Sequence, residues 1–251
     1  MHELPASVRV ALWSTHAWAA DTGVPGALAR ALPDVGQTQD LQEQLRLWRD
    51  LGEAAVLVAL PGPGHTAGLP RCGPVATQAA VEAGEALFVP GLGGMLVPEH
   101  SSYGSAGATA HRIDWVAHDC DPVPVHRIEA LDHSQLERHL RRRLLAAVDD
   151  LEDIGGRPWS SDLAHDLVDD RLGADWALPP QLPDRARRVI GMAATLSVAA
   201  TVGLENSGTL SAAHEHTRAS ALRALHRDAE EALAEATNAA CATLAGWVPA
   251  R

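Results

Sequence analysis

Residues Ser211–Trp247, SAAHEHTRASALRALHRDAEEALAEATNAACATLAGW, set Leu222, Leu225, Ala229, Leu233, Ala236, Ala240, Leu244 and Trp247 at alternating spacings of three and four. That spacing marks one face of an α-helix, and an apolar seam kept up for five turns or more is of bundle or coiled-coil type. The partner surface lies just upstream. Val189, Ala193, Leu196, Ala200 and Leu204 repeat the spacing on a helix rich in small residues, which lets two helices approach closely. Asp184 is placed to cap that helix, which runs to about Glu205, and Asn206, Ser207 and Gly208 form the following turn. Earlier still, Ser134 and Glu137 stand at capping-box spacing, with Leu136, Leu140, Leu144, Val148 and Leu151 on one stripe and Gly155 and Gly156 as the stop. A shorter helix is predicted over 161–172. Residues 133–251 therefore read as an antiparallel helical bundle.

Upstream of about Ile128 the period changes. Val8, Val10 and Leu12 alternate with Arg9 and Ala11, which predicts a half-buried strand over 7–13. Leu41, Leu45, Trp48 and Leu51 fall on one helical face and Gly52 follows as a cap. Residues 54–60 form a continuous apolar run closed by Pro61, Gly62, Pro63 and Gly64, as a buried strand ending in a turn. A helix over 75–83 stops at Gly84, and runs 86–90 and 95–97 flank Gly91, Leu92, Gly93 and Gly94 as a hairpin. The small residues of 101–109 predict a mobile loop, and strand alternation resumes over 112–118. The expected fold class is α+β: a mixed sheet with short helices over 1–128, followed by the bundle over 133–251, the two forming separate regions or one compact unit.

Composition bounds the function. The 251 residues are 46% hydrophobic and 21% charged, a globular balance long enough for a substantial core. Every basic side chain is Arg, and 20 of them against 32 acids leave a net charge of −12, the wrong sign for a nucleic-acid surface. No apolar run approaches the roughly 18 residues of a spanning helix, and the first residues lack a basic flank and apolar stretch, so a cytoplasmic protein with no membrane partner is expected. Cys72, Cys120 and Cys241 are odd in number and widely spaced, and reduced thiols are the simplest reading.

The segments Leu60-Pro61-Gly62-Pro63-Gly64, Gly68-Leu69-Pro70, Ala79–Ala86 and Gly94-Met95-Leu96-Val97-Pro98, with the ending Leu210–Ala213 and Leu222–Leu225, resemble a family of actinobacterial proteins. Members of that family tend to carry Asp-Pro after the Pro-Gly turn, where this chain has His65 and Thr66. The resemblance implies an architecture and a bacterial cytosolic setting, and no reaction.

Thirteen histidines raise the question of a metal. On a strand, His118 and Cys120 would face one side and could chelate, with His126 or His100 as a third ligand, although Pro122 and Pro124 break the ladder there. His214 and His216 stand two apart, about 200° around a helix, so they cannot share one ion. Asp162, Asp166, Asp169 and Asp170 are acids on an exposed helix, and Arg138, Arg141, Arg142 and Arg143 are a basic run that neighbouring acids would absorb. The chain has no Gly-x-Ser-x-Gly elbow and no Walker lysine, and Asp119 and Asp121 would suppress the Cys120 thiolate. No catalytic residue is assigned and no cofactor is predicted. The expected function is that of a non-catalytic protein that binds a partner or self-associates as a homo-oligomer through the C-terminal helix. The alternative is a metal-assisted hydrolase or other small-molecule enzyme using His100, His118, Cys120 and His126, with a divalent metal and the 101–109 loop as a lid.

Overall fold

The computed structural model describes residues 4–33, 35–36, 38–105, 108–152, 178–205 and 212–249. Three helices open the chain: α1 (Ala6–Ala19), α2 (Val24–Ala31) and α3 (Gln39–Asp50). Strand β1 (Leu57–Ala59), helix α4 (Pro74–Ala83) and strands β2 (Ala86–Phe88), β3 (Gly94–Ser105) and β4 (Ala108–Asp119) follow. A short α5 (Val125–Glu129) leads into α6 (His133–Glu152), α7 (Asp184–Glu205) and α8 (Ala212–Leu244). The fold is α+β, with the strands N-terminal and the long helices C-terminal.

Residues 7–13, expected as a strand, lie inside α1. Ser7, Val8, Val10, Ala11, Leu12, Ser14 and Thr15 are all fully buried, so this helix is covered nearly all round. A helix without a wet face carries no one-sided stripe, and its apolar run fits a strand period equally well. With that strand gone the sheet is not mixed: its order is β1-β2-β3-β4, and every strand pairing is antiparallel. A single parallel bridge, Val35 to His111, touches its far edge.

The β2–β3 turn depends on its glycines. Gly93 has φ +73°, and a Cβ there would stand 2.2 Å from the Cys120 carbonyl oxygen. A Cβ on Gly94 would meet the Trp48 indole nitrogen at 2.7 Å. The turn's amides are held from outside by Glu53, whose carboxylate accepts the Leu92 N–H. Beyond this turn β3 and β4 pair in one register from Gly94 with Asp119 to Ser105 with Ala108. Of the loop expected over 101–109, the described residues 101–105 and 108–109 are thus the distal part of a long hairpin, paired in a ladder and not arranged as a lid.

In the bundle, Ser197 of α7 meets His226 of α8 while Gly203 meets Arg218, so these helices run antiparallel. His133 and Arg143 of α6 meet Ala236 and Asp228, which makes α6 antiparallel to α8 as well. The apolar seam of α8 is used inside the chain: Leu222, Leu225, Ala229, Leu233, Ala236 and Ala240 are buried against α7, α6, α1 and β1. One buried cluster joins α1, the sheet, α7 and α8. By length and composition α7 could cross a membrane, which the sequence reading missed, but half of its most apolar window is buried within the protein. The helix expected over 161–172 and its aspartates lie outside the described residues.

Strand β1 sits at the sheet edge, and side chains close it. Thr15 Oγ1 accepts the Val56 N–H at 2.9 Å and donates to the Val56 carbonyl at 3.3 Å. Asn238 of α8 does the same for Val58, accepting its N–H at 2.8 Å and donating to its carbonyl at 2.9 Å. Backbone groups that an edge strand leaves open are thereby satisfied by the first and last helices.

Candidate functional site

The sequence places Pro-Gly-Pro-Gly after β1, and the chain folds there into a tight closed turn. Gly62 and His65 exchange backbone hydrogen bonds of 2.8 and 2.9 Å, with Gly64 at φ +76°. The turn faces the C-terminal end of α4, which Gly84 stops at φ +75°, and one flank of α8. Between them is a cavity of about 530 Å³ walled by Leu60, Pro61, Pro63 and Val81 and by the polar side chains His65, Arg223, His226, Arg227 and Glu230. An apolar cleft with a few convergent polar groups is the ordinary form of a small-molecule site.

Burial raises the Glu230 carboxyl above its usual range; the Ser197 hydroxyl bond and the His226 charge pull it down, and the Glu85 charge adds to the rise. Ser197 Oγ donates to Glu230 and lies 3.2 Å from His226 Nδ1. His65 Nε2 is buried without a hydrogen-bond partner among the described residues, 3.6 Å from the Glu231 carboxylate. Behind Gly84, the buried Glu85 accepts the Ser7 N–H at 2.7 Å and meets His100 Nε2 at 2.9 Å. Glu85's hydrogen bond raises the His100 pKa, against burial, with its charge adding and Arg9 opposing.

Ser197, His226 and Glu230 do not form a hydrolytic triad. The serine proton goes to Glu230 and not to the imidazole, and the hydroxyl belongs to a buried residue outside the cavity wall. What the arrangement can do is bind: two guanidinium groups and an imidazole suit an anion, and burial makes Glu230 hold its proton more tightly than a free carboxyl does.

The four residues expected as metal ligands are dispersed. His100 pairs across the ladder with Ile113, and His118 pairs with Met95. Five residues of β3 separate these rungs, roughly 17 Å at strand rise. His118 Nε2 is buried without a hydrogen-bond partner among the described residues, and His126 is exposed on α5. Cys120 lies past the end of β4 opposite Cys72, and its thiol is pushed up to about 11 by burial, the neighbouring Cys72, Asp121 and Asp119. Among the described residues no three His, Cys, Asp or Glu side chains converge to hold a metal ion. The arginine run is partly absorbed, Arg141 by Glu137 at 2.7 Å and Arg143 by Asp228 of α8.

Sequence reasoning missed His65, Glu85, Arg223, His226, Arg227 and Glu230. One signal was present: Arg223, His226, Arg227 and Glu230 form a polar stripe at helical spacing beside the apolar seam. Nothing in the sequence said that this stripe faces the Pro61–His65 turn.

The N-terminal domain model of the Rv1486c-like proteins matches residues 7–130, and the C-terminal domain model of the same family matches residues 134–234. No curated protein and no solved structure matches the chain. The cavity draws its turn and α4 wall from the first matched region and its arginines, imidazole and carboxyl from the second. Matched by both halves of one family over most of its length, the chain belongs to the Rv1486c-like proteins, a family named after a mycobacterial gene.

Proposed function

We propose that this protein acts by binding and not by catalysis, and that the cavity between the Pro61–His65 turn and α8 takes a small organic anion. The observation that carries this reading is the convergence of Arg223, His226, Arg227 and Glu230 on one apolar-walled cleft. Among the described residues Arg223 has no acidic partner, and Arg227 stands 3.9 Å from Asp228, so both guanidinium groups can turn to a ligand. The apolar wall suits a ligand with a short hydrocarbon body. The test is calorimetric titration with succinate, citrate and inorganic phosphate. At least one binds the native protein, and the double variant Arg223→Ala, Arg227→Ala weakens it by about tenfold or more, which is about 1.4 kcal/mol. Binding that survives the double variant, or none by any of the three, overturns the reading.

Self-association has one observation in its favour, away from the α8 seam. Leu47, Leu51 and Leu92 are 50%, 58% and 44% exposed and rim a groove whose floor includes Gly93 and Ala117. Projecting leucines beside a small-residue floor can fit the same surface of a second copy about a two-fold axis. Light scattering on native protein and Leu47→Glu decides it: a dimer that the variant abolishes supports it, and a monomer throughout removes it.

A further inference from the structure

Three cysteines spread over the chain read as separate reduced thiols, but the fold brings two of them side by side. Cys72, in the segment entering α4, forms an antiparallel bridge with Cys120, the first residue after β4. The Asp121 N–H donates to the Arg71 carbonyl at 2.7 Å, which bonds the residues flanking the pair and makes Cys72 and Cys120 a non-hydrogen-bonded pair. Opposed residues of that kind have Cα atoms about 4.5 Å apart and side chains on one face. That lies within the roughly 4.4 to 6.8 Å that a disulfide spans. Both residues are partly accessible, whereas Cys241 is fully buried in α8, its thiol pushed up to about 12 by burial.

We propose that Cys72 and Cys120 form a reversible intramolecular disulfide, made by exchange with a small-molecule disulfide, and that this bond ties the segment forming the cavity's turn to the sheet. Cys72 is the first attacker. Burial and the neighbouring Asp121 and Asp119 hold the Cys120 proton, so Cys120 acts second. The Cys72 sulfur, as thiolate, attacks one sulfur of the small disulfide and expels the other half as a thiolate. Cys120 then releases its proton to solvent and attacks the Cys72 sulfur, expelling the second half. Two protein thiols become one cystine, and the small disulfide is reduced to two thiols. The Cys72 thiol is one of the causes that raise Cys120, and the first step removes it, which favours the second. The inference rests on the backbone pairing and is independent of the ligand reading.

The bond would tether residue 72 at the base of the segment that runs back to Pro61. In a reducing cytosol such a pair is a sensor and not a structural staple. Reduced native protein is incubated with glutathione disulfide, its free thiols are counted in denaturant, and the chain is cleaved with trypsin under non-reducing conditions. The count falls from three to one, and the peptides Cys72–Arg112 and Ile113–Arg127 appear joined. Hydrogen exchange over 61–72 slows on oxidation and recovers with reductant, and Cys120→Ser shows neither the joined peptides nor the slowing. Three thiols remaining, glutathione adducts without the joined peptides, a link to Cys241, or unchanged exchange in the linked protein each overturn the proposal. Cys72→Ala, Cys120→Ala, folded to the native melting temperature, shows that the thiols themselves are dispensable to the fold.

Discussion

Glu230 shows how one carboxyl couples the cavity to stability. Its pKa is raised mainly because burial disfavours the charged form. The folded state therefore binds that proton more tightly than the unfolded chain does. The stability this lends is complete below the ordinary value of 4.5 and is lost as the pH rises through the folded value. At neutral pH the buried carboxylate is a cost that Glu230→Gln removes, since an amide keeps the shape and can still accept from Ser197. Thermal melts from pH 4 to pH 8 will show the variant melting above the native protein at neutral pH, with the difference shrinking towards pH 4. A constant offset across the range would mean that Glu230 does not titrate in the folded protein. None of this is visible in the sequence, where Glu230 is one of many acids on an amphipathic helix.

Among the elements, α8 carries the most. Its seam was legible because hydrophobic periodicity over 33 residues has few alternative readings. The same periodicity identified α3, α6 and α7, the first two of which keep a wet face. It failed for α1, which is buried nearly all round, and for the 101–109 segment, whose small residues gave no strand signal though a register of twelve pairs holds that hairpin. It also misjudged Leu51, counted on the buried face of α3 but exposed beside Leu47 at the helix end. The polar part of the link between α8 and β1 is two hydrogen bonds made by one amide. Asn238→Ala leaves a buried N–H and a buried carbonyl of Val58 unpaired, each worth about 1 to 3 kcal/mol. Urea unfolding will show a loss of roughly 2 to 4 kcal/mol. A loss below about 0.5 kcal/mol would mean that water reaches this edge, as it does at ordinary surface positions.

At the scale of the whole molecule, one buried cluster runs through the sheet and bundle, and Thr15 and Asn238 close the β1 edge from opposite ends of the chain. A sheet whose edge strand is completed by the last helix has little reason to unfold separately from it. Near-ultraviolet signal from the seven tryptophans, which lie in both halves of the chain, and far-ultraviolet helix signal should therefore fall in one coincident urea transition; two transitions would make the halves independent units. The sequence by itself determined the α+β class, the order of the long helices, the glycine turns and the net negative charge, because periodicity, turn chemistry and net charge are local or additive properties. Only the tertiary structure decided the cavity, the sealing of β1 and the meeting of Cys72 with Cys120. Those depend on contacts between residues from 41 to 180 positions apart, and no local pattern records which distant surfaces a chain brings together.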